Sequence, residues 1–94
     1  MRASSVVPPE AQEHFWVVLR CCVREFHADA LPAVLPKLED LRTWVEGLPD
    51  GALELFYHSE PFDVACRLAG RPLDVKDYLA RYLEIRDGED ACGG

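Results

Sequence analysis

The side chains able to do chemistry in this chain are few and irregularly spaced. Four cysteines (Cys21, Cys22, Cys66, Cys92) and three histidines (His14, His27, His58) are the groups that could ligate a metal or serve as nucleophile and base. No cysteine pair has the two-residue gap of a structural zinc site, and Cys21 and His27 fall on poorly matched faces of one helix. A cluster assembled in three dimensions, such as Cys22, Cys66 and His58, is the remaining route to a small metal or thiol-redox module. Nucleophilic catalysis requires a thiol or hydroxyl beside a base that a third group orients. His58 and Ser59 are adjacent, but neighbours diverge at a helix start, and Ser59 reads as a helix cap. The Glu39–Asp40 pair falls on the polar side of an amphipathic helix. There is no Gly-x-Ser-x-Gly and no glycine-rich phosphate loop. The expectation is a chain that is not an enzyme and needs no cofactor.

The elements that would position these groups are helical. Pro9 suits a first turn, and an amphipathic helix follows from about Glu10 to His27. Its stripe is Phe15, Leu19, Cys22 and Phe26, flanked by Trp16 and Val23, with Arg20, Arg24 and His27 opposite. Pro32 and Pro36 argue against a continuous helix over Asp29 to Leu35. From about Pro36 a second stripe runs through Leu38, Leu41, Val45 and Leu48, with Val34 before it and Trp44 at its margin. Asp50 reads as the cap of a short third helix through Leu53, Phe56 and Tyr57. Ser59 reads as the cap of a fourth through Pro61, Phe62, Ala65, Cys66 and Ala69, closed by Gly70. Asp74 reads as the cap of a fifth through Val75, Tyr78, Leu79, Tyr82 and Arg86, with Gly88 past its end. Leu73 and Tyr78 occupy the positions of a hydrophobic staple around that cap.

This pattern predicts an all-α fold, a compact irregular bundle of about five helices, with a helix-turn-helix-like pair in residues 59–88. Residues 9–87 form one helical domain. Residues 1–8 are expected to be a flexible amino terminus, and residues 88–94 a flexible acidic tail.

The string Val64-Ala65-Cys66-Arg67-Leu68 and, after the turn, Val75-Lys76-Asp77-Tyr78-Leu79 resembles the DNA-binding helix-turn-helix of many bacterial regulators. The likeness covers about twenty residues and departs at the turn, where Ala69 takes the usual glycine position and Gly70 a commonly apolar one. It implies a DNA-binding regulator in which Arg67, Arg71, Lys76 and Arg81 meet the duplex. The presumed reading helix also offers Asp74 and Asp77, and carboxylates oppose the phosphate attraction on which such binding depends.

Seventeen acidic against ten basic residues give a formal charge of −7, which repels nucleic acid and anionic membrane alike. No apolar run approaches the roughly 20 residues needed to span a bilayer, and Val6-Val7 runs into Pro8-Pro9 too soon for a signal core. A cytoplasmic location follows as an expectation, with the cysteines reduced. Large side chains are abundant for one small core. Those at stripe margins, Trp16, Trp44 and Tyr57, together with His58, Glu60 and Phe62 at the joint between the third and fourth helices, form the candidate partner-binding set. The expected function is a small, non-enzymatic protein-interaction or regulatory domain with an acidic surface, bound to a protein partner or to a second copy of itself. DNA binding and the metal or thiol-redox module are the alternatives.

Overall fold

Alternation of apolar and polar residues at helical spacing sets the architecture. The computed structural model describes residues 7–87, and among these it contains five α-helices, a single 3-10 turn and no strand. Helix α1 spans Pro9–Phe26, followed by the 3-10 turn Ala28–Ala30; α2 spans Leu31–Glu46, α3 Asp50–Tyr57, α4 Pro61–Ala69 and α5 Val75–Asp87. The all-α bundle is as expected. Residues 1–6 and 88–94, which include most of the expected flexible amino terminus and all of the expected acidic tail with Gly88 and Cys92, lie outside the described residues. At the near end of the first, Gln12 Nε2 donates to the Val7 carbonyl at 2.8 Å.

Helix α1 is the axis of the bundle. It packs chiefly against α4 and also touches α5 and α2. Contact on several sides explains why Val18 and Cys21 are buried along with Phe15, Trp16, Leu19, Cys22 and Val23. A single stripe describes a helix with one covered face, and α1 has more than one. His27, expected on the polar face, is instead 2% exposed. It stands just past the last helical residue, at φ −137° and ψ 43°, so it leaves the helical register and turns inward.

Helix α2 corrects the expected break. It runs unbroken through Pro36, with Val34 and Leu38 buried on either side of the ring. A proline inside a helix removes one hydrogen bond. Burying Val34 and Leu38 on one continuous face offsets that loss, and Pro32, in the first turn, has no intrahelical bond to lose.

Two caps also differ from expectation. Pro49, not Asp50, precedes α3, and Glu60, not Ser59, precedes α4; neither makes a side-chain cap bond. Asp50 and Asp63 instead sit in the first turns, where a carboxylate faces the positive end of the helix dipole. The other punctuation is as read. Gly70 ends α4 at φ 70°, with its N–H donating to Arg67 and the Arg71 N–H reaching the Cys66 carbonyl at 3.0 Å, a Schellman closure. Asp74 caps α5 by accepting from the Lys76 N–H at 3.0 Å.

Candidate functional site at the α3–α4 joint

The joint between α3 and α4 borders a pocket of about 290 Å³. The amino-terminal half of α1 supplies one side through Ala11, His14 and Phe15, and α5 contributes Arg86. Phe15 and Pro61 are buried and Tyr57 half-buried, so they make the apolar walls. His14, His58, Ser59 and Glu60 are exposed and make a polar rim.

Each wall is held from behind. The Trp16 indole donates to the Tyr57 hydroxyl at 2.9 Å, and Phe15 meets Trp16, Phe56 and Tyr57 at centroid distances of 5.2, 5.3 and 5.2 Å. Such tilted and edge-on contacts are the favoured geometry for aromatic rings. On the rim, Tyr82 donates to Glu60 Oε1 at 2.6 Å, and Arg86 approaches the same oxygen at 3.8 Å. The Arg86 guanidinium also lies 5.7 Å from the Tyr82 ring centroid. Burial, followed by the Glu60 carboxylate, pushes the Tyr82 phenol well above its ordinary range. His14 Nε2 lies 2.8 Å from the Arg86 carbonyl oxygen. A carbonyl only accepts, so this nitrogen carries a proton and donates.

The structure therefore brings together Tyr57, His58 and Glu60 from the candidate partner-binding set. Trp16 and Phe62, at 3% and 1% exposure, belong to the core, and neither is available at the surface. Trp44 is 61% exposed on α2 and does not line this pocket. His14 and Arg86 escaped sequence reasoning. They are 72 positions apart, and nothing in local spacing connects them.

The basic residues of the DNA reading divide differently. Arg81 is engaged by Glu25 at 3.2 Å and Glu84 at 3.0 Å. Arg67 and Arg71 border a second, apolar hollow of about 220 Å³ with Cys66, Gly70 and Pro72. Lys76 is exposed on α5.

The two free thiols among the described residues are poorly suited to chemistry. Cys22 and Cys66 are free and buried. Burial first, with Cys66 and Glu60 adding to it, pushes the Cys22 thiol up to about 12, and burial raises Cys66 as well. A thiol held protonated is a weak nucleophile. Cys21 is disulfide-bonded, which corrects the expectation of a reduced thiol at that position. Among the described residues, no three His, Cys, Asp or Glu side chains stand close enough to hold a metal ion. No helix described is long and apolar enough to cross a membrane. No protein-family model, curated protein or solved structure matches the chain.

Proposed function

We propose that the chain is a small, non-enzymatic interaction domain whose protein partner docks at the α3–α4 joint. One observation carries this reading: a pocket with apolar walls and a polar rim opens at that joint, lined by Tyr57, His58 and Glu60. Its volume lies at the lower edge of the roughly 300–1,000 Å³ usual for small-molecule sites, which suits one anchoring side chain better than a cofactor. Ser59 makes no hydrogen bond to His58 or His14, so the rim lacks the coupled pair that a nucleophile needs. The joint lies between two helices whose inner faces are fixed in the core, so a partner meets a preformed surface.

Site-resolved photocrosslinking tests this reading. A photoreactive residue at position 58 should capture a discrete partner that the same residue at exposed position 40 does not. Ser59→Trp, which crowds the pocket mouth, should abolish the adduct. Identical adducts from both positions, or none, would sink the proposal.

A second reading, duplex DNA binding through the α4–α5 pair, draws on the absence of any ion-pair partner for Arg67, Arg71 or Lys76 among the described residues. It requires salt-sensitive binding that is lost in the double variant Arg67→Glu/Arg71→Glu. No complex at ~50 mM salt, where phosphate contacts are strong, would remove it.

A further inference from the structure

Among the described residues, His27 is the one buried side chain whose nitrogen or oxygen atoms have no hydrogen-bond partner, and this holds for both ring nitrogens. A neutral imidazole carries one donor and one acceptor, and a buried polar atom without a partner is uncommon enough to require a reason. The position of the residue supplies one. Its backbone N–H donates to the Val23 carbonyl at 2.8 Å, closing α1, and its carbonyl accepts from the Ala30 N–H at 2.9 Å, holding the 3-10 turn that leads into α2. The chain changes direction at this residue, and the side chain is locked inside the corner.

We propose that His27 makes the α1–α2 corner an acid-sensitive latch, closed while the ring is neutral and released when the ring takes up a proton. An imidazolium has two N–H donors and a charge, and among the described residues this site offers neither acceptor nor counter-charge. Groups on every neighbouring element bear this out. On α1, Arg24 is exposed, and on the 3-10 turn Asp29 is also exposed. The buried side chains of α2 (Val34, Leu38 and Val45) carry no charge. On α5, Tyr78 has its ring against Phe26. On α4, burial keeps the Cys66 thiol protonated. The charge that does act on the ring is the Arg71 guanidinium, just beyond α4, and it has the same sign as the incoming proton.

Burial first and Arg71 second hold the ring below its ordinary value of 6.5. In the released corner the ring is hydrated and titrates near that ordinary value. The native state therefore keeps its full stability above about pH 6.5 and loses it as the pH falls, because release takes up a proton. The opening constant then rises by up to about tenfold per pH unit.

The test is urea unfolding of the whole chain at pH 7.5, 6.5 and 5.5, with His27→Phe as the comparison. The unfolding constant of the unaltered chain should rise several-fold more than that of the variant between pH 6.5 and 5.5. Equal responses would overturn the proposal. If His27→Phe does not fold, a proton NMR titration of the three histidine rings in the unaltered chain decides the matter. His27 should titrate below its ordinary value, and a His27 midpoint at or above 6.5 would refute the latch.

Discussion

The Trp16 indole N–H donates to the Tyr57 hydroxyl across 2.9 Å, joining the middle of α1 to the last residue of α3. Phe56 stacks on the same indole at a centroid distance of 5.8 Å, and the Arg42 guanidinium lies over it at 5.6 Å. Arg42 is itself held by Glu13 at 2.7 Å and Glu46 at 3.4 Å. Tyr57 forms part of the pocket wall, so this bond sets where the wall stands relative to the core.

Tyr57→Phe keeps the ring and leaves the buried indole N–H without a partner. The expected loss is about 1–2 kcal/mol of stability, the range for an unsatisfied buried donor. Chemical denaturation followed by Trp fluorescence should show a lower midpoint with an unchanged slope. A shift in the emission maximum of the folded state should accompany it.

The two tryptophans should behave oppositely. Trp16→Ala removes a side chain only 3% exposed and should cost about 3–5 kcal/mol. Trp44→Ala acts on a ring 61% exposed and should change stability by no more than about 0.5 kcal/mol. Thermal unfolding of the two variants checks both values. A large loss in Trp44→Ala would mean that its ring covers more of the core than its exposure indicates.

Tyr82 predicts behaviour at alkaline pH. Its phenol titrates above its ordinary value in the folded protein, through burial first and then the hydrogen bond to Glu60. The unfolded chain loses this proton near pH 10 while the folded chain keeps it, so stability is full below about pH 10 and falls as the pH rises. Ultraviolet difference titration should show the Tyr82 phenol ionising above its ordinary value. Glu60→Gln, which removes the carboxylate charge, should bring that ionisation to lower pH.

Gly70 is the helix end that most needs its residue type. At φ 70° an added Cβ meets no atom within 4 Å, so the penalty for Gly70→Ala is one of backbone conformation alone. It should be about 1–2 kcal/mol, and Gly70→Asn should lose less because Asn enters this region more readily. Melting temperatures of the two variants should therefore rank Asn above Ala.

Local signals carried the helices well where their physics is local. The Asp74 cap and the Gly70 stop depend on a few adjacent residues, and both stand as read. Ser59 and Asp50 failed as caps because the following Pro61 and the preceding Pro49 leave other residues in the extended conformation at the helix starts. The continuity of α2 through Pro36 depends on what Val34 and Leu38 pack against, which spacing along the chain does not state. His27 was misplaced for a similar reason, since helical periodicity ceases to apply one residue beyond the helix. The pocket was half legible. Tyr57, His58 and Glu60 lie within four consecutive residues, whereas His14 and Arg86 are joined to them by tertiary packing.

Pro36 has a consequence for how the molecule comes apart. It offers no N–H to the Pro32 carbonyl, so the hydrogen-bond ladder of α2 lacks a rung near its beginning. The segment from the 3-10 turn to Leu35 can peel away without unwinding the helix beyond it, the kind of boundary at which sub-global opening begins. Amide exchange should divide there, with faster solvent exchange on the amino-terminal side and slower exchange from Leu38 onward. The chain carries a fracture line, and His27 stands beside it.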